Sequence, residues 1–227
     1  MLRIAIDGAC RRNGKPDCIS SGGVFILHIG EEGKATHCEM RSVVEFESTN
    51  QRGELNALVE ALKYVKVSRV KEAQIVTDSE YLFNAMTKNW YTRWEFNDWR
   101  TASGGDVKNR DLWEKICCLV DTSTTDVTYY HIKGHVMSFG KVSARKLLEA
   151  DESGKFLYKE LYGKYKSLFR EDVDGKPLST DLKYAQDLSY KNNGFVLPPK
   201  ELRNFVVINA MADAIATKAV DDADSLA

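Results

Sequence analysis

Apolar and polar positions alternate in short blocks over the first 45 residues. Residues 2–6 form a short apolar run that meets Asp7-Gly8, a pattern of strand followed by turn. Residues 22–29 (GGVFILHI) read as a second strand and residues 35–45, after a polar turn, as a third. Three strands with no helix between them predict an antiparallel meander at one side of a sheet. The period then lengthens. Leu55, Leu58, Val59, Leu62 and Val65 recur at helical spacing across 54–65. A fourth strand over 73–77 ends at Asp78, and a short helix follows over 80–86. Beyond the stretch holding Trp90, Trp94 and Trp99, a helical segment covers 112–120, and 127–131 forms the last clear strand.

The remainder is less regular. Leu157, Leu161, Tyr165 and Leu168 mark a helix over 155–169, and 179–190 reads as a short helix. Pro199 can open a final helix over 200–220, since its missing N–H costs nothing at that position. Leu202, Phe205, Val206, Asn209, Ala212, Asp213 and Ala216 would form its inner side. The order is therefore β-β-β-α-β-α, then a helix, a strand and finally helices. No repeat or break in composition divides the chain. We expect one α/β domain over 1–220 and an acidic tail over 221–227.

Composition narrows the class without naming a function. Apolar residues make up 43% and charged residues 29%, ordinary for a globular protein. The net charge of −1 carries no basic excess of the kind that marks strong nucleic-acid binders. It is compatible with a carboxylate-rich site that cations neutralise. Cys10, Cys18, Cys38, Cys117 and Cys118 form no zinc spacing and no disulfide framework, which suits reduced thiols in a cytoplasmic compartment. We see no signal peptide and no apolar stretch near 20 residues, so a membrane span is not expected.

Four acids interrupt apolar structure: Asp7 after the first strand, Glu54 at the first helix, Asp78 after the fourth strand, and Asp213 among alanines in the last helix. Taken singly, each can be read as a cap, a turn residue or a solvated helix residue. Asp213 resists that reading best, because a carboxylate among small apolar side chains needs a metal, an ion pair or hydrogen bonds. Two acids at the C-terminal ends of apolar strands also stand where α/β sheets bind ligands.

The segments around these acids are Ile6-Asp7-Gly8-Ala9-Cys10, then Thr49-Asn50-Gln51-Arg52-Gly53-Glu54-Leu55, then Thr77-Asp78-Ser79-Glu80-Tyr81, and finally the run from Asn209 to Ala216. Together with Lys133-Gly134-His135 and the 107–113 segment, they resemble the signature segments of the type 1 ribonuclease H family, in the family's order. The resemblance covers 1–139 and 206–220. It implies a mixed five-stranded sheet flanked by helices. It also implies hydrolysis of the RNA strand of an RNA–DNA hybrid, leaving 5′-phosphate and 3′-hydroxyl ends.

By the same resemblance Asp7, Glu54, Asp78 and Asp213 hold two Mg²⁺ ions, with Mn²⁺ able to substitute, and Asp7 bridges the pair. Two hard cations ~4 Å apart can grip both the attacking and the leaving oxygen of a phosphate, and such ions take oxygen ligands. Without them, like charges at close quarters should raise at least one carboxyl pKa. His135 would relay a proton or ease product departure from a mobile loop. The RNA 2′-hydroxyl would be read near Cys10, Asn13, Asn50 and Gln51, and Asn13, Thr49 and Asn109 would grip a phosphate of the DNA strand. Trp90 and Trp94 either line the DNA channel or form the small core of a protruding handle.

One stretch departs from the family pattern. About 65 residues, 140–204, stand between the histidine loop and the last aspartate, with 13 Lys or Arg and 10 Asp or Glu. A structureless loop of that length would be unusual. We therefore expect 141–204 to be a mainly helical insertion that packs on the core and modulates hybrid binding. A monomer is expected, and no partner for the insertion is implied. The competing reading is a non-catalytic, nucleic-acid-binding module of the same fold, which would usually have lost one of the acids.

Overall fold

A computed structural model of the chain describes residues 1–134, 141–165 and 197–227. Strands β1 (Leu2–Arg11), β2 (Ile19–Ile29) and β3 (Ala35–Glu45) form the expected antiparallel meander. Strand β4 (Glu72–Thr77) pairs with β1 in parallel, and β5 (Asp126–His131) pairs with β4 in parallel. The sheet order is β3-β2-β1-β4-β5. Helix α1 (Asn50–Ser68) crosses one face, joined by α2 (Glu80–Thr87), α3 (Trp90–Phe96) and α4 (Arg110–Asp121). Helices α5 (Lys141–Ala150), α6 (Lys155–Tyr165) and α7 (Pro199–Asp224) cover the other. This is the mixed five-stranded α/β fold that the motif resemblance implies.

Burial on both faces explains the run of apolar residues in β1, because successive side chains point to opposite sides. Leu2, Ile4 and Ile6 pack with Leu55, Leu58, Leu62 and Trp113 in one core. Ala5 joins Phe25, Leu27, Phe205 and Val206 in the other. Leu148 of α5 and Leu157 and Leu161 of α6 complete that second core, so the described residues of 141–165 are part of the fold's own core.

Several boundaries differ from the sequence reading. Strand β1 does not stop at Asp7. It runs to Arg11, with Asp7 paired to Gly23 and Gly8 to Gly22, because cross-strand hydrogen bonding outweighs the turn preference of Asp-Gly. Helix α1 begins at Asn50, four residues earlier than its apolar period. Its first turn is polar and is held by Thr49, whose Oγ1 accepts the Arg52 N–H at 3.3 Å. The tryptophan-rich stretch contains α3, which the period did not show. The expected acidic tail is helical as far as Asp224, and Asp221, Asp222 and Asp224 pair with Arg11, Lys218 and Arg12. Pro199 opens α7 as expected. The helix predicted over 155–169 is observed as Lys155–Tyr165, and its last residues, like the helix predicted over 179–190, lie outside the described residues.

The tightest contacts are made at Gly22-Gly23 of β2. A Cβ on Gly22 would stand 2.6 Å from the Ala57 amide nitrogen of α1, and one on Gly23 would stand 2.3 Å from the Ala212 carbonyl oxygen of α7. Both helices therefore rest directly on strand backbone, one on each face. Gly23→Ala should push α7 outward and destabilise the fold by about 1–3 kcal/mol. Gly163→Ala, in α6 with nothing within 4 Å of its would-be Cβ, should be neutral or stabilise by up to about 1 kcal/mol. Urea unfolding midpoints measure both, and equal midpoints for the two variants would contradict the close approach.

Candidate active site

Asp7 lies mid-strand in β1 and its side chain points to the α7 face, while Gly8 points to the α1 face. Glu54 of α1 uses the space that Gly8 leaves open. A Cβ there would lie 2.8 Å from Glu54 Cγ and 3.0 Å from its carboxyl carbon. The Gly8 N–H donates to Asp7 Oδ1 at 2.7 Å.

Asp78 occupies the turn between β4 and α2. Thr77 Oγ1 accepts the Ser79 N–H at 3.0 Å, and Ser79 Oγ caps α2 at Leu82. The His131 ring nitrogen sits 3.1 Å from the Asp78 carbonyl oxygen. On its other side Gly134 abuts the Asp78 carboxylate so closely that a Cβ would fall 2.0 Å from Oδ2.

Asp7, Glu54 and Asp78 each offer a carboxylate oxygen within 4.8 Å of the others, the one such metal-ligating group among the described residues. Asp7 and Glu54 are buried, at 4% and 9% exposure. Asp7 Oδ2 and Glu54 Oε2 are buried with no hydrogen-bond partner. Burial, then the charges of Asp78, Glu54 and Asp213, hold the Asp7 carboxyl well above its ordinary range, against the pull of the Gly8 N–H. Burial and then Asp78 push Glu54 up to about 8. Two orphaned anionic oxygens beside a third carboxylate are costly alone and match the donor set of a hard divalent cation. The residues fit such an ion.

Asp213 is carried by α7. It is half-buried and lies outside the 4.8 Å group, although its charge reaches Asp7. Asn209, one turn earlier, is buried with its Nδ2 unpartnered. His135 lies outside the described residues.

Beside the acids, a cavity of 440 Å³ is lined by Asn13, Thr49, Asn50, Gln51, Glu54, Ser79, Tyr81, Lys108 and Asn109. It gathers five of the eight positions expected to contact substrate. Cys10, Trp90 and Trp94 are not among its walls. Trp90 and Trp94 are half-buried and pack on the α1-face core, with Trp94 5.2 Å from Trp113 and Trp90 6.5 Å from Tyr81 between ring centroids. Ser79, Tyr81 and Lys108 were not singled out as substrate contacts. They lie inside quoted motifs, but nothing in a linear sequence places them on a common wall.

Comparison with known proteins completes the picture of the site. The family model for RNase H matches residues 2–148, which include three of the four carboxylates. The chain belongs to the ribonuclease H family. A ribonuclease H of Clostridium botulinum is 36% identical over 132 residues, 58% of this chain and 82% of the relative. One from Thermus thermophilus is 38% identical over 135 residues, 59% of this chain and 74% of the relative. Among solved structures, LC9-RNase H1 aligns with a TM-score of 0.51 at 24% identity, over 59% of this chain and 63% of that one. The PFV RNase H domain aligns with a TM-score of 0.51 at 19% identity, over 70% of this chain and 94% of that one. These two likenesses bear on the fold alone. Asp213 lies beyond the stretch that the family model matches.

The acid cluster makes a prediction for the metal-free protein. The folded-state pKa of Glu54 is raised above its ordinary 4.5. Its contribution to stability is therefore complete below about pH 4.5 and is lost as pH rises through about 8. In excess chelator, Glu54→Gln should become progressively more stable than wild type over that interval, by on the order of 2 kcal/mol at its upper end. Urea midpoints at a series of pH values test this, and a difference that does not change with pH would contradict it.

Proposed function

We propose that this chain is a divalent-metal-dependent endonuclease that hydrolyses the RNA strand of RNA–DNA hybrids, leaving 5′-phosphate and 3′-hydroxyl ends. The observation that carries the reading is the buried Asp7–Glu54–Asp78 cluster with two orphaned oxygens, in a chain of the ribonuclease H family. Asp7, Glu54 and Asp78 would hold two Mg²⁺ or Mn²⁺ ions, with Asp213 completing the set from α7. Such ions, when bound, supply the positive charge that stabilises a phosphoryl transition state and ease deprotonation of an attacking water.

The protein's own groups do the rest. Gly8 N–H fixes the Asp7 carboxylate so that its second oxygen is left available. The Asp78 turn is held from Thr77 and His131, which keeps its carboxylate aimed at the cluster. The adjacent cavity would seat the hybrid, with Asn13, Thr49 and Asn109 on a DNA-strand phosphate and Asn50 and Gln51 near the RNA 2′-hydroxyls, the groups that tell RNA from DNA. Cys10 would act at the edge of this groove, and the exposed faces of Trp90 and Trp94 would pack on DNA-strand sugars. His135, which follows Gly134 in the sequence, would assist proton transfer or product departure. We read the whole chain as one catalytic domain in which 141–204 is an insertion, acting as a monomer in the cytoplasm.

Labelled hybrid, double-stranded RNA and DNA duplex, each with and without Mg²⁺, form the direct test. We expect cleavage of the hybrid alone, dependent on the metal and yielding 5′-phosphates. Asp7→Asn should lower the rate by at least ~100-fold while leaving the unfolding midpoint unchanged or higher. Full activity in excess chelator, or cyclic phosphate ends, would overturn the reading. Metal-dependent hybrid binding without cleavage would favour the non-catalytic module instead.

A further inference from the structure

Directly after the cavity-wall residues Thr49, Asn50 and Gln51, Arg52 is held by two carboxylates from different elements. Its Nη1 and Nη2 donate to Asp111 Oδ1 and Oδ2 at 2.9 and 2.8 Å. Its Nε and Nη2 donate to Glu45 Oε2 and Oε1 at 2.9 and 2.7 Å. Both edges of the guanidinium thus make two-point contacts, one to the end of β3 and one to the first turn of α4. The network continues inward. Glu45 Oε2 also accepts from Ser48 Oγ at 2.9 Å and Asn56 Nδ2 at 3.0 Å, and Ser48 lies 2.8 Å from Ser20 of β2.

The residues beside each anchor are walls of the cavity. Thr49, Asn50 and Gln51 immediately precede Arg52, and Asn109 stands two residues before Asp111. The two walls also touch directly, with Asn109 Nδ2 donating to Gln51 Oε1 at 3.2 Å. That single neutral bond, at a position where Asn109 has a left-handed backbone (φ 57°), is a weak spacer by itself.

We propose that Arg52 is a positioning residue for substrate recognition. It sets the distance between the Thr49–Gln51 wall and the Asn109 wall, so that one phosphate of the bound nucleic acid meets both. This rests on the hybrid-nuclease reading and deepens it. The charges support it. Hydrogen bonds from Arg52 hold the carboxyls of both Glu45 and Asp111 below their ordinary range. Without Arg52 the two carboxylates would repel each other and would also repel incoming phosphates. Ion pairs this accessible add little to stability, so the consequence of the arrangement is geometric.

Lysine cannot replace the double fork, since an ammonium is a point charge without two parallel donor edges. We would compare wild type, Arg52→Lys and Arg52→Met in single-turnover cleavage of hybrid at saturating Mg²⁺. Both variants should raise the half-saturating hybrid concentration, by about 10-fold for Arg52→Met, while the saturated rate stays within about 2-fold of wild type. A second readout separates positioning from plain destabilisation. A neutral methylphosphonate linkage is walked along the DNA strand. One position should weaken wild-type binding, and that penalty should disappear in Arg52→Met.

Unchanged half-saturation, or a methylphosphonate penalty that persists in the variant, would overturn the proposal. So would parallel losses of saturated rate, affinity and melting temperature. If wild type leaves the hybrid uncut, the functional reading fails instead, which is a distinguishable result.

Discussion

Everything at the site depends on how closely two helices approach one strand. Gly22 and Gly23 face opposite sides of β2, and the backbones of α1 and α7 lie against them with no side chain between. Strand β1 is registered so that Gly8 and Asp7 stand opposite this pair. Glu54 therefore comes over Gly8 from one face, and Asp213 approaches Asp7 from the other. A spacing larger by one methyl group on either face would separate acids that lie far apart in sequence. The cost of assembling them is visible in the raised pKa values of Asp7 and Glu54. Packing in two extended cores offsets that cost.

Much of this was legible in the linear chain. Short apolar runs ended by turn residues identified the strands, helical spacing identified α1 and α7, and the acids stood out because each broke an apolar context. What could not be read was adjacency set by backbone. Asp-Gly at 7–8 looks like a turn until its partner strand is known to carry Gly22-Gly23. The first turn of α1 has no apolar period, so Asn50 to Gly53 gave no helical signal although Thr49 caps them. Helix α3 is short and its tryptophans follow no simple stripe. The contact of Gly134 with Asp78, and the shared wall made by residues near 50 and near 109, exist only once the sheet is folded.

Helices α5 and α6, within the stretch expected to be an insertion, support the sheet directly. Leu148, Leu157 and Leu161 pack with Phe205 and Val206 on the face that also carries Asp7 and Asp213. Phe25 of β2 stacks at 5.6 Å on Tyr158 of α6. Removing the segment would therefore strip part of a core from beneath α7, and Asp213 would lose the packing that orients its helix. A deletion that loses activity would say little about whether this stretch touches nucleic acid. Point changes on its outer surface are the informative ones.

The burial of Glu54 and Asp7 also has a thermodynamic consequence for cation uptake. Both carboxyls hold protons more tightly than ordinary acids do, and a proton must leave before its oxygen can ligate. Loading a divalent ion at this cluster would thus be an exchange of protons for cations, not a simple addition. The apparent affinity of the cluster for such an ion would then rise with pH until those protons are gone. The buried charge that raises these pKa values is the same charge that would make the carboxylates a good ligand set for a cation.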